Sequence, residues 1–138
     1  MIKEMNIRAI VHATESPAKV REAIATIAPD ARVRESHTTG YHGNEIVVLE
    51  ATAVKSCEKI EELLKRDGIL EEVLKNPEMY IEGGVVHLKV DKQRLYGERR
   101  LVLGGSDVVS VHLRIGSRTE PREKTAERIR QFLRGEEE

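Results

Sequence analysis

The sequence predicts an α+β domain in which a mostly antiparallel sheet carries its helices on one face. Segments that alternate apolar and polar residues are interleaved with amphipathic segments in the order β-α-β-β-α-β-β-α. At least two connections between neighbouring strands are short enough for hairpins, which favours antiparallel pairing. The length of 138 residues is close to the usual size of one domain. We therefore expect a single domain over 1–138, with a core from about residue 5 to residue 134.

The first half of the chain predicts three strands and one helix. The first strand is predicted by apolar residues at alternate positions, which is the period of a strand with one buried face: Ile7, Ala9, Val11 and Ala13. Ser16 and Pro17 suit the start of a helix, which we predict over 16–28. An exposed edge strand over 32–37 follows, and then a central strand over 45–54 that is rich in β-branched residues.

The middle of the chain predicts a second helix and a fourth strand. Ser56 suits the N-cap of this helix, and Gly68 stands where a left-handed residue commonly ends one. We predict that residues 69–75 add two further helical turns. Gly83 and Gly84 then form a turn that leads into a strand over 85–90.

The last third predicts a final strand and a final helix. Residues 92–97 form a short helix or loop, and a glycine-rich turn follows at 104–107. The final strand has a buried face made of Val109, Val111, Leu113 and Ile115. The last helix has an apolar stripe made of Ala126, Ile129 and Leu133. We expect the acidic tail, 135–138, to be frayed.

Composition excludes several classes of function. The 23 basic and 24 acidic residues give a net charge of -1, so total charge alone does not attract nucleic acid or an anionic membrane. No apolar run is long enough to span a membrane or to act as a secretory signal, so we expect a cytoplasmic protein without membrane contact. Aromatic residues make up 3% of the chain, too few for a base-stacking sheet of the RRM kind.

Potential metal ligands and nucleophiles are few. The single cysteine, Cys57, lies on the apolar side of a predicted helix, where a buried and inert thiol is expected. The five histidines do not have the spacing of a known ligand set. His12 and His112 alternate with core-facing residues, so they should point to the other face of the sheet. We therefore expect no metal and no cofactor.

The connection over 38–44 is the most unusual segment. It contains two glycines, which permit positive φ and close approach to a ligand, together with Tyr41, His42 and Asn44. The tyrosine could stack on a base, and the histidine could donate to a phosphate. The alternative, of equal weight, is a seven-residue hairpin whose glycines satisfy the turn.

Basic residues concentrate in two segments. Residues 83–100 hold five basic and two acidic residues, the basic ones being Lys89, Lys92, Arg94, Arg99 and Arg100. Residues 114–134 hold seven basic and three acidic residues. If the two segments meet, they form a patch that could neutralise a nucleic-acid backbone. The alternative, which the sequence slightly favours, is a solvated helix face whose own glutamates screen the arginines.

Three short motifs resemble an archaeal RNA-binding family described as predicted exosome subunits. They are Val11-His12-Ala13-Thr14-Glu15 before a helix, Gly40-Tyr41-His42-Gly43-Asn44 before a strand, and Asp91-Lys92-Gln93 after one. Their order and spacing resemble the family from about Ile7 to Ile115. The resemblance implies a fold similar to the ribosomal large-subunit protein that holds the 5S RNA, and RNA binding without an established catalytic activity.

The leading hypothesis is a non-catalytic RNA-binding protein, an accessory of RNA processing or exosome-type decay whose partners are RNA and RNA-processing proteins. We predict no catalytic residue, and RNA contacts by Tyr41, His42, Asn44, Lys89, Lys92, Arg94, Arg99 and Arg100. One alternative is an interaction module that forms a homodimer or a complex through an edge strand. Another is a small enzyme that uses His12 or His42 as a general base in phosphoester chemistry.

Overall fold

The computed structural model describes residues 1–40, 42–54 and 57–135. In these ranges the strands are β1 (Glu4–Val11), β2 (Arg32–Thr39), β3 (Glu45–Ala53), β4 (Ile81–Glu82), β5 (Val85–Asp91) and β6 (Val108–Arg114). The helices are α1 (Pro17–Ile27), α2 (Cys57–Arg66), α3 (Ile69–Lys75), α4 (Pro77–Tyr80), α5 (Lys92–Glu98) and α6 (Arg122–Leu133).

The strands form one sheet in the order β2-β3-β1-β6-β5-β4, and every described pairing is antiparallel. This confirms the predicted α+β class, and the predicted order of elements holds broadly. The short elements β4 and α4 were not predicted, because two and four residues carry too little periodicity to be recognised. Residues 101–103 return toward the sheet, where Leu103 makes a single bridge to Val90.

The helices cover one face of this sheet, because alternate strand residues contribute to a core that the helices share. On β1 the buried side chains are Met5, Ile7, Ala9 and Val11, and they belong to the same cluster as the buried residues of α1, α2, α3, α5 and α6. The residues between them, such as Asn6 and Arg8, point to the opposite side. We call that opposite side the open face.

Predicted and observed boundaries agree closely for α1 and β2, but β1 runs from Glu4 to Val11, so the predicted buried strand residue Ala13 was wrong and lies exposed in a turn. The helix predicted over 16–28 is α1, with Ser16 at the N-cap position but without a capping hydrogen bond from its side chain. The predicted edge strand is β2, which runs two residues further and ends at Thr39. Gly68 has a φ of 69° and separates α2 from α3, as its predicted left-handed conformation requires. The predicted cap Ser56 and tail residues 136–138 lie outside the described residues.

The apolar stripe of α6 differs from the prediction in its last position. Phe132 is buried, whereas the predicted Leu133 is only half-buried. The phenyl ring turns toward α2, where the ammonium of Lys65 lies 4.3 Å from its centroid. Burying the larger apolar side chain removes more surface from water, so the helix rotates to favour Phe132.

Three glycines, Gly83, Gly84 and Gly116, allow the β4–β5 turn to lie directly on the segment between β6 and α6. A Cβ on Gly84 would lie 2.4 Å from the carbonyl carbon of Gly116 and 2.4 Å from the carbonyl oxygen of Ser117. A Cβ on Gly116 would meet the carboxylate of Glu120, which is itself buried beside Thr125 and Arg128. The predicted turn is therefore also a close backbone contact.

Adding a methyl group at this contact is expected to destabilise the fold. The change Gly84→Ala should lower the free energy of unfolding by about 1–3 kcal/mol, because the opposing atoms are backbone and cannot rotate away. The matched control is Gly97→Ala on α5, where an added Cβ meets nothing within 4 Å. That change should be neutral or slightly stabilising, since alanine is the better helix former. Urea unfolding of both variants measures the difference, and equal midpoints would contradict the close contact.

Candidate nucleic-acid interface

The open face is a shallow polar surface with two depressions that meet near its centre. The larger, of about 590 Å³, is lined by residues of β1, β2, β3 and β6. The smaller, of about 230 Å³, lies toward β4 and β5. Both include Asn6 and His112, so together they cross the sheet from one edge to the other.

Most basic side chains of the open face make no ion pair within the described part of the chain. These unpaired cations are Arg8, Arg32, Lys89, Arg114 and Arg118. Arg34 is the exception, since its guanidinium lies 3.4 Å from Glu50, but its side chain is still 78% exposed. Unpaired cations are available to phosphate without first breaking an internal contact. The open face therefore offers five cations that a polyanion can contact directly, beside the carboxylates of Glu4, Glu50 and Glu82.

Strand register arranges these groups in rows across the strands. One row runs through Arg34, Glu50, Arg8, Ser110 and Lys89. We call its three basic members, Arg34, Arg8 and Lys89, the cation row. The adjacent row begins at Arg32 and continues through hydroxyl, carboxamide and imidazole side chains. We call these the neutral row: Thr52, Asn6, His112 and His87.

The neutral row is partly organised by its own contacts. Thr52 Oγ1 donates a hydrogen bond of 2.8 Å to Asn6 Oδ1. The rings of His87 and His112 meet edge to face, with centroids 4.5 Å apart. Partial burial and the neighbouring His87 lower the pKa of His112. The lowered pKa favours the neutral imidazole at pH 7, in which one nitrogen donates a hydrogen bond and the other accepts one.

The predicted RNA-contacting residues of 83–100 fall on different sides of the sheet. Lys89 lies on the open face, in the cation row. Arg94 belongs to α5 on the helical side, and Arg100 follows this helix; their guanidinium groups lie 3.8 and 3.5 Å from Glu98. Arg99 ends α5 with a φ of 53°, and its carbonyl accepts a hydrogen bond from Arg66. The structure does not bring Lys89 together with the three arginines.

Lys92 is buried, with 2% of its surface exposed. Its ammonium donates to the carbonyl of Ile10 at 2.6 Å and to Glu15 Oε1 at 3.0 Å, and it lies 3.0 Å from Asp107 Oδ1. The group thus has three oxygen partners inside the protein, and it does not present its charge to a phosphate. A lysine in a segment of high charge density gives no sequence signal for burial.

The carboxylates around Lys92 resemble a cation site whose position the lysine fills. Ligand atoms of His12, Glu15 and Asp107 lie within 4.8 Å of one another. Burial alone would raise the pKa of Asp107, but hydrogen bonds from Lys92 and His12 outweigh it and lower that pKa. Because the ammonium already supplies the positive charge, this cluster is not a candidate metal centre.

The β2–β3 hairpin uses its glycines for the turn. The N–H of Gly40 donates a hydrogen bond of 2.6 Å to the carbonyl of Asn44. Gly43 has a φ of 79°, and its N–H donates a hydrogen bond to the carbonyl of Gly40. His42 and Asn44 are exposed at its tip, beyond the end of β1. The predicted contact residue Tyr41 lies outside the described residues.

A chain of charged groups holds the end of this hairpin. His37 lies between two glutamates, with Nδ1 2.5 Å from Glu45 Oε1 and Nε2 2.9 Å from Glu35 Oε2. The hydrogen bonds to Glu45 and then to Glu35 raise the pKa of His37. Glu35 also contacts Arg21 of α1 at 2.9 Å. These charges are satisfied within the protein and do not attract a polyanion.

The basic C-terminal helix over 119–134 is screened by its own acidic residues. Arg130 lies 2.8 Å from Glu123 and 3.1 Å from Glu127, and Arg128 lies 3.1 Å from the buried Glu120. The structure therefore supports the screened-face alternative for this helix. Of the basic segment 114–134, Arg114 and Arg118 contribute to the open face, through the smaller depression.

The histidines considered for catalysis lie in separate surroundings. His12 contacts Asp107 at 3.3 Å, His37 contacts its two glutamates, and His42 is at the hairpin tip. Neither depression of the open face includes any of the three. Within the described part of the chain, the two depressions of the open face thus give these three histidines no shared cleft. Cys57, also considered as a nucleophile, is buried, and burial raises the pKa of its thiol.

Among the helices of the described residues, none is both long and apolar enough to cross a membrane. Unpaired basic side chains clustered on one face of a domain are the electrostatic signature of proteins that bind a polyanion. Residues 4–116 match a family model described as RNA binding, so the chain belongs to this RNA-binding family.

Similar proteins come from several archaea. RNA-binding protein PAB1135 of Pyrococcus abyssi is 30% identical over 149 aligned positions, which cover 96% of this chain and 94% of that protein. The structure of Mth689, a DUF54 protein from Methanothermobacter thermautotrophicus, matches with a TM-score of 0.81 at 26% identity, covering 96% of this chain and 98% of its own. Protein AF2318 from Archaeoglobus fulgidus matches with a TM-score of 0.69 at 32% identity, covering 98% and 99%. The likeness to the ribosomal 5S-RNA-binding protein stays a prediction.

Proposed function

We propose that this protein binds RNA without catalysing a reaction on it, and that the open face makes the phosphate contacts. The single observation that carries this proposal is the set of five unpaired cations on one face of a protein from an RNA-binding family. Each phosphate contact by such a cation releases a condensed counterion, which favours association at low salt.

The open face is preferred over the helical side for a physical reason. On the helical side, Arg66, Arg94 and Arg100 already contact carboxylates, and so do Arg128 and Arg130 of α6. A phosphate would have to displace those partners, and the gain in electrostatic energy would be correspondingly smaller. His42 and Asn44, and Tyr41 with them, are proposed as additional contacts at the tip of the hairpin.

We test this surface by reversing one charge on each side of the sheet. Lys89→Glu on the open face should weaken binding of a labelled structured RNA about tenfold at low salt and reduce the salt slope by about one counterion. Arg94→Glu, which makes the same kind of change on the helical side, should leave both quantities nearly unchanged. Fluorescence anisotropy at several salt concentrations, with duplex DNA as competitor, measures them. Equal losses in the two variants would exclude the open face.

The cellular role that we propose is an accessory of RNA processing or exosome-type decay in the cytoplasm. It is supported by the resemblance of the three sequence motifs to predicted exosome subunits. Affinity purification of the tagged protein from its native cells should recover RNA-processing proteins, and these proteins should remain bound after ribonuclease treatment. Loss of all such proteins after ribonuclease would mean that RNA alone links them.

A homodimer through β2 is the second candidate arrangement. This eight-residue strand lies at one end of the sheet order, so the outer backbone groups of the strand have no partner strand among the described residues. Light scattering at increasing concentration distinguishes a monomer from a dimer. A monomer at millimolar concentration would remove this candidate without affecting RNA binding.

A further inference from the structure

The open face has a layered arrangement that goes beyond a general basic patch. The neutral row lies between the cation row on one side and Arg114 with Arg118 on the other. Along β6, Ser110 lies in the row that contains the cations of the cation row, and Arg114 lies four residues further on. This separation is about 13 Å in an extended strand. Across the sheet, the cation row spans five strands, or about 19 Å. Basic side chains therefore stand on both sides of a strip of hydrogen-bonding groups, with Glu50 among those on the first side and Glu4 and Glu82 beside those on the second.

Single-stranded RNA does not fit this arrangement well. Proteins that bind single strands stack the bases on aromatic side chains. Among the described residues, the aromatic ones are on the helical side: Tyr80 on α4, Tyr96 on α5 and Phe132 on α6. The imidazole rings of His87 and His112 are inclined at 66° to each other and form no common platform.

Double-stranded RNA has the complementary arrangement. An A-form duplex presents a wide and shallow minor groove in which 2′-hydroxyl groups lie between two phosphate backbones. The neutral row contains a carboxamide, a hydroxyl and imidazoles, which both donate and accept hydrogen bonds. A 2′-hydroxyl also does both, so it can pair with these groups. B-form DNA lacks this hydroxyl, and its minor groove is narrower.

We propose that the open face binds A-form duplex RNA across its minor groove. The cation row contacts one phosphate backbone, Arg114 and Arg118 contact the other, and the neutral row contacts the 2′-hydroxyl groups between them. This inference rests on the proposed function and specifies the class of RNA. It makes binding depend on shape and on ribose chemistry more than on base sequence.

The test compares three labelled probes at one salt concentration: an RNA duplex of about 16 base pairs, which is the span typical of a double-stranded RNA-binding domain, the DNA duplex of the same sequence, and oligouridine of equal length. We expect the RNA duplex to bind at least tenfold more tightly than either of the others. Tighter binding of oligouridine would overturn the duplex proposal while leaving RNA binding intact. Equal binding of the two duplexes would overturn the 2′-hydroxyl contacts. Absence of binding to all three would overturn the proposed function itself.

Two variants of the neutral row provide a readout that a loss of charge does not give. Asn6→Ala and His112→Ala should each reduce the preference for the RNA duplex over the DNA duplex about threefold or more, with the salt slope unchanged. The matched variant Lys89→Ala should weaken both duplexes equally and reduce the salt slope by about one counterion. Circular dichroism of each variant checks that the fold is retained. An unchanged RNA-to-DNA preference in both neutral-row variants would contradict their assignment.

Discussion

Replacing Lys92 by methionine is expected to lower the free energy of unfolding by about 2–4 kcal/mol, the largest effect on stability of any change proposed here. The methylene stem of the side chain is retained, but the carbonyl of Ile10 and the carboxylates of Glu15 and Asp107 lose their shared cation. Both carboxylates are partly exposed, so water recovers some of the loss. Urea unfolding at pH 7 measures the change.

The same variant should also change the response to acid. Lys92 and His12 lower the pKa of Asp107 in the folded protein, so the stability that this carboxylate contributes is present above its unfolded pKa and is lost as pH falls below about 4. The Lys92→Met variant should therefore lose less stability than the parent protein between pH 5 and pH 3.

Two further variants test the assignment to Lys92. Lys59→Met, at an exposed position of α2, removes the same charge and should change stability by less than about 0.5 kcal/mol. Combining Lys92→Met with Asp107→Asn should recover part of the loss, because one of the uncompensated carboxylates is neutralised. A Lys92→Met variant as stable as Lys59→Met would contradict the buried contacts.

Reversing the charge of Arg8 is expected to have the largest effect on RNA binding. Arg8 occupies the centre of the cation row and lies beside Glu50 and Ser110 in the register. The change Arg8→Glu removes one phosphate contact and adds a second carboxylate next to Glu50, so RNA affinity should fall tenfold to a hundredfold at low salt. The salt slope should decrease by about one counterion.

The control for Arg8→Glu is a change of equal net charge away from the open face. Lys124→Glu lies in the first turn of α6, where an acidic side chain is compatible with the helix dipole. Its RNA affinity should remain within about twofold of the parent protein. If both variants lose affinity to the same degree, RNA responds to the total charge of the protein and the open face has no special part in binding.

Much of the fold could be predicted because burial repeats with the period of each element. The alternation of Ile7, Ala9 and Val11 identified β1 and its buried face, and the same pattern identified β6. Such local patterns do not contain the order of the strands, which depends on contacts between residues far apart in the chain. They also do not reveal the burial of Lys92, because its partners Ile10 and Asp107 belong to distant segments.

The candidate surface was found only in small part from the sequence. A search for segments of high charge density selects Lys89 but also Arg94, which the sheet separates from it. It passes over Arg8, Arg32 and Arg34, because each strand contributes only one or two cations. The sequence does indicate these residues in another way: in each strand, basic residues occupy polar positions that alternate with core residues. Predicting that these basic residues form one surface requires the order of the strands, and that order comes from the structure.

The two edges of the sheet differ in a way that limits self-association. The outer side of β5 is covered at both ends, by β4 at one end and by residues 102–104 at the other. The short β4 is itself held by α6, since Arg122 Nε donates to the carbonyl of Ile81 at 2.9 Å. Among the described residues, β2 is thus the long edge strand that remains uncovered. Because a single open edge saturates after one pairing, strand addition at β2 would give a closed pair and not a growing fibril.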